Sequence, residues 1–216
     1  MKEDAQYNIY SWKPLFLMGV FIALLVGMNT LGVKIVSFFG VSVTVGIFMV
    51  PIVFLITDIV AEVYGQHMAR IFVWTGLAVL VLIFVYALIF VALPPHDRYT
   101  SNEAYSAIFG SSLRILLASI FAFLFAQLHD IWAFEFWKKK TQGRKLWLRN
   151  NLSTIVSQFI DTTIFMFIAF YGLTPQFDAS FVWGLIMPYY VFKVIFAFID
   201  TPFVYWGSAW LRKTES

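Results

Sequence analysis

The sequence of 216 residues contains no cysteine, only three histidines and just 12% charged residues. Without cysteine there is no disulfide framework, no thiol catalysis and no thiolate metal ligand. The histidines, His67, His96 and His129, fall in different segments with no HExxH spacing, so no metal site is expected. There is no GxSxG turn to expose a serine nucleophile, and no GxxxxGK[ST] loop to cradle a nucleotide phosphate. The chain therefore reads as a non-enzyme with no cofactor, unable to hydrolyse ATP by itself. A soluble domain carries roughly a quarter charged residues, so a water-facing surface cannot be assembled from this composition.

What is abundant is apolar: 61% of the residues are hydrophobic and 20% aromatic. Lipid offers no partners to backbone N–H and C=O groups, so a span must be a helix of about 20 residues to cross a hydrocarbon core of about 30 Å. Six segments meet this requirement: Leu15 to Ser37, Val41 to Tyr64, Ala69 to Leu93, Leu113 to Phe134, Asn151 to Tyr171 and Phe181 to Trp206. They follow one another too closely for a soluble domain to fit between them. The expectation is an all-α, six-helix transmembrane bundle forming one domain over residues 1–216. The run from Leu15 to Val33 is too long for a secretory signal and reads as a retained first helix.

Orientation follows from lysine and arginine, which stay on the cytoplasmic side of short loops. With the N-terminus inside, eleven fall in the cytoplasm: Lys2, Lys13, Arg70, Lys138, Lys139, Lys140, Arg144, Lys145, Arg149, Arg212 and Lys213. Three, Lys34, Arg98 and Arg114, fall opposite, and Lys193 lies inside the sixth segment. Both termini are thus expected in the cytoplasm of a bacterial cell, with the protein multi-pass in the inner membrane. Trp147, Trp206 and Trp210 then fall at the interfacial aromatic belt. The net charge of +3 is a topology signal and points to no nucleic acid.

Ionisable groups inside a bilayer cost about 2.5 kcal/mol or more near its centre and face the bundle interior. Asp58 and Glu62 are spaced i, i+4, and Gln127 and Asp130 i, i+3, so each pair shares a helix face. Asn151, Thr154, Gln158 and Asp161 form one stripe within about 80 degrees. Tyr189, Lys193 and Asp200 share a face of the last segment. These groups are expected to meet in one layer as a substrate cavity. The bland alternative is that Lys193 neutralises one aspartate while the other groups bond helices together. A purely structural ion pair is often no better than apolar packing, so it does not account for so many carboxylates and carboxamides. Such groups, with aromatic rings to stack on, suit a flat polar heterocycle.

Asp58 and Asp161 could formally serve as an aspartyl protease dyad, but Thr57-Asp58-Ile59 and Ile160-Asp161-Thr162 do not match that chemistry's signatures. Phe159-Ile-Asp-Thr162 recurs as Phe198-Ile-Asp-Thr201 on antiparallel segments and reads as coincidence. Gly19, Ala23 and Gly27 form a small-residue stripe that suits close helix packing, within the chain or against another subunit. A homo-oligomer is left open.

Four separated motifs carry a family resemblance. They are Pro51-Ile-Val-Phe-Leu-Ile-Thr-Asp58-Ile-Val-Ala-Glu62-Val-Tyr64-Gly65; Ala126-Gln127-Leu-His-Asp130 leading to Lys138-Lys-Lys140; Leu146-Trp147-Leu-Arg149-Asn-Asn151-Leu-Ser153-Thr-Ile-Val-Ser157-Gln158-Phe-Ile-Asp161-Thr162; and Tyr190-Val-Phe-Lys193. Over about residues 15 to 210 the chain resembles the VUT or YhhQ family of queuosine precursor transporters, an older name for which is vitamin uptake transporter. The resemblance implies a six-helix importer of 7-deazaguanine precursors of the tRNA base queuosine, namely the 7-cyano and 7-aminomethyl forms or queuine. It also implies a likeness to the substrate-binding subunits of ECF vitamin transporters, hence the alternative of a subunit that captures a vitamin-like heterocycle and needs a separate energising partner.

With such a purine-like ligand, Asp130 or Asp161 would accept from the ring N–H and amino group, and Gln127, Gln158 or Asn151 would donate to the carbonyl. Lys193 would balance charge, Trp147 or Tyr189 would stack on the ring, and Asp58 and Glu62 complete the candidate set. Buried carboxylates would couple movement to protons, because a bilayer disfavours their charged form.

Overall fold

The computed structural model describes residues 12–32, 34–38, 41–141, 146–199 and 201–212. The chain runs through α1 (Trp12–Thr30), a β-hairpin of β1 (Ile35–Phe38) and β2 (Val41–Thr44), a 3-10 turn (Val45–Phe48), α2 (Val50–Ala92), α3 (Asn102–Lys140), α4 (Leu146–Phe170), α5 (Ala179–Ile199) and α6 (Thr201–Arg212). The molecule is mostly helical. Among the described residues, four stretches are long and apolar enough to cross a membrane: Trp12–Thr30, Val45–Gly65, His67–Ala92 and Asn102–Ala126. Two shorter apolar helices, Ile155–Phe170 and Ala179–Ile195, accompany them.

Gly65 divides α2 into two arms. Its φ of 81° lies in the left-handed region, where a residue with a Cβ is strained and glycine is not. The arms fold back on each other. Val50 and Leu80, 30 residues apart, line one cavity, whereas a straight helix would hold them roughly 45 Å apart. Pro51 opens the first arm, where the N–H it lacks has no helical acceptor to lose.

Three boundaries differ from the sequence expectation. The first segment was expected to run to Ser37 and the second to begin at Val41, yet these residues form the antiparallel hairpin, in register Ile35 to Thr44 and Val36 to Val43. Ile, Val and Thr are stiff at χ1 and suit a pleated surface. Such a run reads as apolar either way, so hydropathy alone assigns it to a span. At the hairpin base Gly46 sits so close to α1 that a Cβ there would lie 3.0 Å from the Met28 carbonyl oxygen and 3.3 Å from the Gly32 Cα. The fourth segment starts at Asn102 rather than Leu113 and continues to Lys140. The fifth starts at Leu146 rather than Asn151.

Two apolar cores hold the helices. Leu17 and Phe21 of α1 pack with Val53, Ile56, Val60 and Phe72 of both arms of α2 and with Leu211 of α6. Val43 and Ile47 pack with Ile115, Met166, Phe170, Val182 and Ile186, joining the hairpin to α3, α4 and α5. The outer surface is apolar too: Leu82, Leu88, Ile89, Trp132 and Trp206 are exposed. Exposure of this kind marks a surface that meets lipid or protein. Of the small-residue stripe, Gly27 faces the Met49 sulfur, while Gly19 has open space beside it and Ala23 is exposed.

Candidate functional site

Between the two cores lies a cavity of about 290 Å³, close to the lower end of the roughly 300–1,000 Å³ range of small-ligand clefts. Every element from α1 to α5, with the hairpin and the 3-10 turn but without β1, contributes to its wall. Leu25, Val53, Leu77 and Leu80 make much of it apolar, and Phe54, Phe123 and Phe165 add ring faces.

The polar groups arrive by helical spacing. On α4, Ser157, Gln158, Asp161 and Thr162 occupy one face and line the cavity. On α5, Tyr189 and Lys193, four residues apart, do the same. Lys193 Nζ donates to Asp161 Oδ2 at 2.7 Å, with side-chain exposures of 10% and 25% respectively. The pair is shielded enough that its two charges need each other, and it leaves this part of the wall with no net charge. Among the described residues, the other carboxylate oxygen of Asp161 makes no hydrogen bond. Gln158 Oε1 and Thr162 Oγ1 are buried without partners among the described residues. An unsatisfied buried polar atom costs about 1–3 kcal/mol, so this wall is where a bound polar molecule gains most.

Tyr189 ties the cavity to the hairpin. The Thr44 backbone N–H donates to the Tyr189 hydroxyl at 2.6 Å, and the Thr44 side-chain hydroxyl also bonds to it. Between α3 and α4, His129 Nδ1 shares a hydrogen bond of 3.0 Å with Ser157 Oγ.

Of the residues singled out from the sequence, Gln158, Asp161, Tyr189 and Lys193 line this one cavity. Asp58 and Glu62 do not line it: both are exposed on the first arm of α2, one and two turns beyond Phe54, and Glu62 pairs with Arg212 at 2.9 Å. The side chains of Gln127, Asp130, Trp147 and Asn151, and all of Asp200, lie outside the described residues. Sequence reasoning passed over Asn29, Thr44 and Ser119, which also line the wall. The signal was weak: each is a single uncharged polar residue in an apolar run. Among the described residues no cluster of three metal-ligating side chains occurs.

Comparison with known proteins adds an independent line. Residues 44–207 match the family model described as "Putative vitamin uptake transporter". The chain is 34% identical over 185 residues to the "Probable queuosine precursor transporter" of Bacillus subtilis (strain 168), covering 85% of this chain and 79% of that protein. It is 27% identical over 202 residues to the "Queuosine precursor transporter" of Escherichia coli (strain K12), covering 89% and 86%. No solved structure matches. Both relatives are named as transporters, which supports the reading of a non-enzyme.

Proposed function

The chain belongs to the vitamin uptake transporter family, and from that premise we propose that it imports queuosine precursors, 7-cyano-7-deazaguanine, 7-aminomethyl-7-deazaguanine or queuine, across the bacterial inner membrane. It does so as a single six-span domain with both termini in the cytoplasm. Its α4 and α5, of 25 and 21 residues, supply the last two spans, and Lys138, Lys139 and Lys140 at the end of α3 lie on the cytoplasmic side. The names of the relatives support the substrate class.

The observation that carries the reading is the Asp161–Lys193 pair on the wall of a mostly apolar cavity. The pair offers the neutral deazaguanine ring shared by these precursors a carboxylate acceptor on an otherwise mostly apolar wall. Asp161 accepts from the ring N–H and amino group of the base, and Gln158 completes the polar contact. Phe54, Phe123, Phe165 and Tyr189 supply stacking faces. Cells unable to make the precursor, fed a labelled one, are the test: the chain restores uptake and queuosine in tRNA, and Asp161→Asn abolishes both. Wild-type rates in that variant would remove Asp161 from the site.

A second reading has one observation in its favour. Gly19 and Ala23 present a small-residue strip on the outside of α1, suited to a second helix in lipid, as a binding subunit with a separate energising partner requires. Transport by the purified chain alone in liposomes excludes that reading; binding without transport favours it.

A further inference from the structure

A second polar pair on the cavity wall comes from α1 and α3. Asn29 is 1% exposed and Ser119 8%, and both line the cavity. The amide of Asn29 is fixed at both ends. Its Nδ2 donates to the Leu25 carbonyl at 2.8 Å, and its Oδ1 accepts from Ser119 Oγ. A hydroxyl has one proton and two lone pairs, and Ser119 has spent its proton on Asn29. Whatever meets Ser119 Oγ from the cavity must therefore bring its own hydrogen.

Ser112 Oγ lies between the same helices, with its one proton placed between the Ile108 carbonyl of α3 at 3.1 Å and the Thr30 carbonyl of α1 at 3.3 Å. The cavity thus holds acceptors on two helices, the Asp161 carboxylate and Gln158 Oε1 on α4 and the Ser119 hydroxyl on α3. A guest that satisfies both carries N–H groups on two separate edges. In a 7-deazaguanine base one edge holds the ring N1–H and the 2-amino group, and the five-membered ring holds the N9–H. Attachment of ribose removes that second hydrogen.

We propose that Ser119, with its proton held by the positioning residue Asn29, reads the N9–H of the base and so makes the site selective for free bases over their nucleosides. This inference rests on the import of deazaguanine bases proposed above. A site built to bond an N–H discriminates strongly against an analogue lacking it, because its own polar group is then left unpaired.

The test measures binding of 7-aminomethyl-7-deazaguanine and its N9-methyl analogue to purified protein in detergent. The wild type prefers the free base by about tenfold or more. In Ser119→Ala, and in Asn29→Ala, where the hydroxyl is no longer held, the preference falls to about threefold or less. Ser119→Thr, which keeps the oxygen, retains it, and this arm stands even if an alanine variant fails to fold. An unchanged preference in a folded Ser119→Ala protein, or equal binding of both probes by the wild type, overturns the assignment while leaving base import intact. No binding of either probe by the wild type overturns both.

Discussion

Tyr189 and Thr44, 145 residues apart in sequence, are joined by three hydrogen bonds through one phenolic oxygen, so that a strand of the hairpin is fastened to the same face of α5 that carries Lys193. The fastening is buried, with Tyr189 5% and Thr44 8% exposed. Tyr189→Phe removes the acceptor from the Thr44 N–H and leaves it unpaired, at a cost of about 1–3 kcal/mol. Hydrogen exchange should rise at residues 41–44 while α1 and α2 keep their protection; a uniform rise, or none, would show that the hairpin is held by other means.

Lys193 and Asp161 are expected to behave as a unit. Lys193→Met strands a carboxylate on an apolar wall and should cost about 3 kcal/mol. Adding Asp161→Asn to it should recover most of that stability, because a neutral amide needs no counter-charge, while uptake stays abolished. Thermal melting in detergent reads the first quantity and labelled uptake the second. Additive losses in the double variant would mean that the two charges do not depend on each other.

The Glu62–Arg212 pair supplies the contrast. Its side chains are 55% and 46% exposed, and such pairs contribute about 0–1 kcal/mol. Glu62→Gln should therefore leave both melting temperature and uptake close to wild type. A loss of uptake there would place Glu62 in the transport path, outside the cavity described.

Gly65→Ala places a Cβ on a residue with φ of 81° and ψ of 171°, a conformation essentially confined to glycine, at a strain of about 1–3 kcal/mol. There is open space beside it, so the penalty is conformational rather than a clash. The variant should melt earlier and be made in lower amount, while the protein that does fold binds ligand with unchanged affinity. Weaker binding by the folded fraction would mean that the reversal at Gly65 also shapes the cavity.

How much of this was legible in the sequence depends on how a residue announces itself. Charged and amide groups at helical spacing in an apolar run are conspicuous, which is why Gln158, Asp161, Tyr189 and Lys193 could be placed on shared faces before any coordinates. Glu62 was equally conspicuous, yet its partner is Arg212, 150 residues away, and no local pattern encodes that meeting. The hairpin escaped for another reason: hydropathy does not distinguish a strand from a span when Val36 and Val43 are apolar in either. Asn29 and Ser119 were silent because one small polar residue in a membrane helix is ordinary, and only their pairing across 90 residues gives them meaning.

The length of α3 carries a mechanical consequence. Its 39 residues make a rod of roughly 58 Å at about 1.5 Å per residue, against a hydrocarbon slab of about 30 Å. Close to half of it must stand clear of the oily layer, and that half ends in Lys139 and Lys140, both exposed. The oily stretch and the polar end of this helix thus face different solvents, and a water-borne reagent reaches the lysines without entering the lipid.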